Sequence, residues 1–240
     1  MSGHRAYRLA LDPAPAQEKL LDSCAGSARW AYNFALGLKT DAHKRWREAV
    51  AELVAAGVPE ADARKQVKVS TPTKPAVQKE WQPVRGDSRT GDEDGRCHWW
   101  HTMSTHVFQS AFIDADRAWK NWLDSLAGRR AGRKVGYPRF KKKGRSRDSF
   151  RLHHDVKRPT IRLATGRRLL LPRIGEVRVH GGTRRLRRAL SRRNGTVQSV
   201  TVSKPGHRWY ATVLVAEDIP APPPTRQSLW TATTSLVTSV

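Results

Sequence analysis

The chain has 240 residues, a formal charge of +24 and a hydrophobic share of 38%. That length fits one large domain or two small ones. A charge so far from zero points to a polyanion partner, nucleic acid or an anionic membrane surface. No apolar run approaches the ~20 residues that a spanning helix needs. Residues 1–15 contain no secretory apolar stretch. Cys24 and Cys97 are only two and lie far apart, which excludes a disulfide framework and reads as two small buried thiols. A cytoplasmic chain without membrane partners is the expectation.

Residues 5–11 alternate, with Tyr7, Leu9 and Leu11 on one face, and predict a strand stopped by Asp12-Pro13. Pro15 suits the first turn of a helix, where its missing N–H would be unpaired anyway. Leu20, Leu21, Cys24, Ala28 and Ala31, flanked by Trp30 and Phe34, recur at helical spacing to about Leu38. A second helix is predicted from Asp41 to Ala56, with Trp46, Val50, Leu53 and Val54 on its buried side. Gly57 ends it, and Pro59 opens a short third helix to about Lys68. Residues 70–98 break the pattern with Thr71, Pro72, Thr73 and Pro75, then an acidic polar loop at 86–95. They read as a solvated insertion. From about Met103 the helical period returns. Phe108, Ala111, Phe112, Ala115, Trp119, Trp122, Leu123 and Leu126 keep to one stripe, and Gly128 closes that helix.

Residues 128–151, GRRAGRKVGYPRFKKKGRSRDSFR, hold eleven Lys or Arg and one acid, Asp148. Cations this dense repel one another unless a polyanion neutralises them, and lysine and arginine release counterions from phosphates. Tyr137 and Phe140 lie among them, and aromatic faces stack on bases. The candidate nucleic-acid-binding residues here are Arg129, Arg130, Arg133, Lys134, Tyr137, Arg139, Phe140, Lys141, Lys142, Lys143, Arg145 and Arg147.

The period then changes. Short β-branched runs at 150–153, 160–163, 168–172, 176–180, 196–203 and 209–215 are separated by Gly, Pro and charge. They predict a small sheet or barrel. Gly181-Gly182 and Asn194-Gly195 are turn signals. Residues 184–193 carry six arginines, with Leu186 and Leu190 four apart. That reads as a short basic helix docked by its leucines, adding Arg184, Arg185, Arg187 and Arg188 to the binding set. Residues 221–224 form a stiff Pro-rich linker. Residues 225–240 hold one Arg, no Lys and no acid, unlike everything before them.

Catalytic and metal readings are weaker than the basic one. Two-metal phosphoryl chemistry needs several converging carboxylates. Between Ser125 and Ala216 the only acids are Asp148, Asp155 and Glu176, each expected to pair with a base. Asp114 and Asp116 are two apart on a helix and do not share a face. Cys97, His98, His101 and His106 lack the tight paired spacing of a structural zinc site. His153, His154 and Asp155 have no recognisable nucleophile beside them. No catalytic residue and no metal ligand is therefore assigned.

Taken in order, several motifs resemble the TnpB (OrfB) family of insertion-sequence accessory transposases, which are RNA-guided DNA endonucleases. They are GxKVGYPRFKKK at 132–143, Ser149-Phe150, residues 170–179, residues 200–203 and Arg208-Trp209-Tyr210 before the Pro-rich linker. The opening also resembles the family: Tyr7-Arg8-Leu9, Glu18, Leu20 and Trp30-Ala31-Tyr32-Asn33-Phe34, a segment often described as a helix-turn-helix. The resemblance covers roughly residues 5–220.

It implies an α+β fold, a split wedge-type β-barrel with an inserted helical recognition lobe. Its parts would be a first barrel strand in 1–13, the helical lobe in 14–128, the basic segment and remaining barrel in 129–219, and a linker with a non-homologous tail in 220–240. The implied partners are guide RNA and DNA. In the family the linker leads into a RuvC-like nuclease domain with a catalytic Asp in a D-x-G context, a second carboxylate and a Cys-rich zinc ribbon. Nothing after Pro224 matches that pattern, so magnesium and zinc are expected only for a nuclease domain this sequence lacks. The expectation is a truncated or frameshifted copy that binds nucleic acid without its own cleavage centre. The alternative is a standalone DNA- or RNA-binding regulator.

Overall fold

The computed structural model describes residues 2–86, 97–155, 159–192 and 194–218. The Pro-rich linker, the tail and most of the acidic loop expected at 86–95 lie outside them.

The chain begins with strand β1 (Ser2–Asp12), then enters helix α1 (Pro15–Ala55). Pro15 occupies the first turn, and the Gln17 side-chain oxygen accepts the Ala14 N–H at 3.1 Å. The Gln17 amide also donates to the Glu176 carbonyl at 3.1 Å, fixing the helix start against the sheet. At 1.5 Å per residue, 41 residues make a rod of about 60 Å. It ends at Gly57, whose φ of +90° a side chain would resist.

The break expected between Leu38 and Asp41 does not exist, and the two predicted helices are one. Lys39, which falls between the two expected helices, is only 3% exposed. Its ammonium is satisfied by the Pro72 carbonyl and the Asp116 carboxylate, so the buried face continues through a paired cation. Of the residues expected on the buried side of its second half, Val50 is buried and Val54 is exposed.

Helix α2 (Glu60–Gln66) follows as anticipated. Helix α3 (Lys74–Arg85) falls where an irregular insertion was expected. Pro75 sits in its first turn, where it costs no hydrogen bond, and Pro83 comes only in its last turn. Val77 and Trp81, four residues apart, are buried. The Trp81 ring stacks on Phe108 at 5.0 Å and meets Phe112 edge-on at 5.5 Å. A short 3-10 turn (His98–Thr102) leads into α4 (Thr105–Leu126). The α4 stripe is buried from Phe108 to Trp122, but Leu123 is 39% and Leu126 68% exposed, beyond the reach of the expected core. Gly128 follows with φ +66°.

The remaining elements are β2 (Asp148–His153), β3 (Arg162–Ala164), β4 (Arg168–Leu171), β5 (Gly175–His180), α5 (Arg184–Arg192), β6 (Thr196–Lys204) and β7 (Tyr210–Asp218). All six predicted runs form strands, and the predicted basic helix forms. The sheet order is β2-β6-β7-β1-β5-β4-β3. Each pairing is antiparallel. The N-terminal strand thus lies inside the sheet, paired with β7 from Ser2↔Asp218 to Ala10↔Tyr210 and with β5 from Ala10↔His180 to Asp12↔Arg178. The fold is α+β, as the resemblance implied, with the N-terminal strand joining a sheet otherwise built from residues 148–218.

Closure into a barrel is not observed. The edge strands β2 and β3 share no ladder among the described residues. Just beyond β2 and before β3, the Ile161 N–H donates to His154 Nδ1 at 3.2 Å. One continuous buried cluster runs from the helices, through Leu36, Phe112 and Trp119, to the sheet residues Leu152, Val177, Val200 and Val213. Arg29 to Asp148 at 2.6 Å and Arg151 to Asp114 reinforce the helix–sheet seam.

Candidate nucleic-acid interface

Residues 127–147 form no helix or strand. They are laid as a strap across α1 and α4. Three anchors hold it. The Val135 N–H donates to the Ser125 hydroxyl at 2.9 Å. Tyr137 packs edge-on against Trp122 at 4.7 Å and Trp119 at 5.6 Å, with His43 at 6.0 Å. Asn33 on α1 then clamps the backbone of Lys141: the Lys141 N–H donates to Asn33 Oδ1 at 2.7 Å, and Asn33 Nδ2 donates to the Lys141 carbonyl at 2.9 Å. A side-chain amide satisfying both backbone groups of one residue replaces a strand partner. The strap then turns, with the Lys142 N–H donating to the Ser146 hydroxyl at 3.0 Å.

The anchors decide which cations face solvent. Arg129, Arg130, Arg133, Lys134, Arg139, Lys142, Lys143, Arg145 and Arg147 are all exposed. Arg129 pairs with Asp124 at 3.1 Å. The other eight have no ion pair among the described residues. Lys141 differs. It is half-buried, with its ammonium 4.1 Å from the Tyr32 ring centroid. Burial holds its pKa below the usual lysine range, Arg151 and Arg29 push the same way, and Asp114 opposes them. Phe140 is exposed, whereas Tyr137 keeps one edge in solvent and the other in the tryptophan cluster.

Helix α5 forms a second basic patch. Leu186 and Ala189 are buried and dock it, while Leu190 is only half-buried. Arg184, Arg185, Arg187 and Arg188 are exposed, without ion pairs among the described residues. Arg185 and Arg188 line a cleft of about 610 Å³ with Arg5 and Tyr7 of β1. Beneath it the buried Glu217 accepts the Tyr7 hydroxyl at 2.7 Å and pairs with Arg5 at 3.3 Å. Sequence reasoning gave no role to Asn33, Ser125 or Glu217; each acts across more than a helical turn of chain, and no local spacing marks them.

The acids behave as expected where they can be followed. Asp148 pairs with Arg29 and Glu176 with Arg168, at 3.7 Å for the latter. Asp114 and Asp116 point to different partners, Arg151 and Lys39. Among the described residues no group of three or more His, Cys, Asp or Glu is placed to hold a metal ion. Cys24 and Cys97 are free and buried, and burial raises their thiol pKa values to about 12 and about 11. His153 lies against His106 at 5.9 Å, and His154 accepts the Ile161 amide proton. Among the described residues no helix is long and apolar enough to cross a membrane.

Among the described residues, a mixed α+β fold thus displays two patches of exposed arginine and lysine, on the strap and on α5. Comparison with known proteins narrows it. Residues 1–48 match the OrfB-type profile described as a helix-turn-helix domain. In the structure these residues form β1 and the first part of the unbroken α1, one strand and one helix. Two Mycobacterium tuberculosis proteins, provisionally named RNA-guided DNA endonucleases, are 32% identical over 213 residues, covering 88% of this chain and 42% of each relative. Escherichia coli InsQ, provisionally named in the same way, is 25% identical over 218 residues, 91% of this chain and 42% of its own. The chain belongs to the TnpB/OrfB family. It spans less than half the length of the curated relatives it matches.

Proposed function

We propose that this chain is the nucleic-acid-binding portion of a TnpB-like RNA-guided DNA endonuclease, holding guide RNA and target DNA without a cleavage centre of its own. The strap carries the reading. Eight exposed cations without ion pairs among the described residues are displayed along a backbone fixed at Ser125, the Trp119–Trp122 cluster and Asn33. A tethered row of fixed charge favours a phosphate chain over a mobile counterion cloud. Arg184, Arg185, Arg187 and Arg188 on α5 extend the same surface chemistry. Magnesium and zinc belong, in this reading, to a nuclease domain and not to these residues.

The test is a salt titration of binding to a structured RNA, followed by fluorescence anisotropy. The R139A/K142A/K143A variant removes three exposed cations and should reduce the slope of log K against log salt by about 2–3. The K141A variant removes a charge directed onto Tyr32 and should change the slope less. A slope unchanged in the triple variant would mean the strap faces only solvent. A second reading, a standalone regulator, draws support from the single core that joins helices to sheet. It requires tight binding to one DNA site with no guide RNA present.

A further inference from the structure

Beside the strap lies a cleft of about 520 Å³ between α1, α2 and the end of α4. Its walls include His43, Trp46 and Arg47 from α1, Arg64 from α2 and Trp122 from α4. The volume lies within the range that holds small organic ligands. His43 and Trp46 stack nearly parallel, 5.8 Å apart with an interplanar angle of 11°. His43 also meets the edges of Trp119 and Trp122 at 5.8 and 5.3 Å, so this wall is braced from behind. Trp46 is only half-buried, and the rim is the exposed end of the α4 stripe, Leu123 and Leu126.

Two features argue against an ordinary apolar crevice. The first is charge. Arg47 is exposed at the cleft and has no ion pair among the described residues. Arg64 at the opposite side is pre-oriented by Glu60. The second is the neighbour. Tyr137 of the strap packs on His43 and Trp122, two of the cleft's own walls. The strap is therefore anchored on the same aromatic residues that wall a cleft lined by two arginines. A planar, uncharged ring joined to an anionic backbone fits this combination; an apolar peptide would use the walls but not the arginines. We propose that the cleft receives one unstacked nucleobase of the strand held by the strap, with Trp46 as the stacking face and Arg47 on an adjoining phosphate. Burial and the Arg47 charge hold the His43 pKa below its usual value. His43 can then offer one N–H donor and one nitrogen acceptor to a base edge at neutral pH.

This rests on the nucleic-acid-binding reading above, and the experiment separates the two. The probes are a single-stranded RNA carrying 2-aminopurine and a matched strand whose central bases are abasic, keeping the same phosphates. The full chain and its W46L and W46F variants are compared, with folding checked by thermal melting. Stacking is sequence-tolerant and large enough that W46L should bind the base-bearing strand about tenfold more weakly. W46F, which keeps a ring face, should recover most of that loss. On the abasic strand W46L and the unmodified chain should bind alike. Equal loss on both strands, or equal behaviour of W46L and W46F, would overturn the proposal. So would a dimer of the unmodified chain that W46L dissociates, which would make the cleft a self-association face. If W46L does not fold, the unmodified chain decides alone: equal affinity for base-bearing and abasic strands refutes a base pocket. The strap variant's salt slope reports on the broader reading independently of every one of these outcomes.

Discussion

Replacing Asn33 with alanine tests how the strap is held. The substitution removes both hydrogen bonds to the Lys141 backbone, at 2.7 and 2.9 Å, while leaving every strap cation in place. Each bond contributes about 1 kcal/mol net, and the two groups left at a partly buried site raise the expected loss to about 2 kcal/mol or slightly more. For a chain of this size that lowers the melting temperature by about 4–8 °C. The local effect should be larger than the global one, because the strap can detach without unfolding the helices beneath it. Hydrogen exchange at the Lys141 amide should accelerate strongly, and exchange in the middle of α4 should not. RNA affinity should fall because the cations lose their fixed spacing, while the salt slope stays near that of the unmodified chain because their number is unchanged. That pattern is the reverse of the one expected for R139A/K142A/K143A. An N33A protein with unaltered Lys141 exchange and unaltered melting would show that the clamp does not hold the strap, and the reasoning would fail.

Three further outcomes are expected. Trp119 and Trp122 are buried, so W119A and W122A should each cost about 3–5 kcal/mol, measured by chemical denaturation. An added Cβ at Gly195 would lie 2.6 Å from the Ala189 carbonyl oxygen and 3.0 Å from Val215 Cγ1. G195A should therefore push α5 off the sheet at a cost of about 1–3 kcal/mol, visible as loss of exchange protection in 186–190. Burial lowers the pKa values of His43, His153 and His154. A base whose folded pKa is depressed contributes fully above its unfolded value of about 6.5 and loses that contribution as pH falls from there through the lower folded value. Melting temperature should drop between pH 7.5 and pH 5.5, and H153Q should flatten the drop; a flat profile in the unmodified chain would refute the assignment.

Much of the fold was legible because it rests on local rules. The change from a helical to an alternating period near residue 148 located the sheet, and the turn residues separated its strands. The failures have physical causes. Helix α1 was read as two because a pattern cannot reveal that Lys39, between the two expected helices, is buried and neutralised by a distant Asp116. Helix α3 was hidden by Pro75, a residue that breaks a helix interior but suits its first turn. Barrel closure was an inference from resemblance, and the described strands leave β2 and β3 as edges. At the candidate site, composition identified the basic strap but not the inward turn of Lys141. Nothing in FKKK distinguishes the lysine that Asn33 and Tyr32 draw toward the helices from the two that follow it.

The position of β1 has a consequence for how the molecule comes into being. Tyr7 and Glu217 hydrogen-bond across 210 residues of chain. At ribosomal speeds of about 5–20 residues per second, the first strand emerges tens of seconds before the partner that completes its ladder. During that interval α1 and α4 can already pair, so a helical half with a dangling β-strand should precede the finished protein. Ribosome-bound intermediates arrested before Tyr210 should leave β1 open to proteases, and protection should arrive only once β7 has been made.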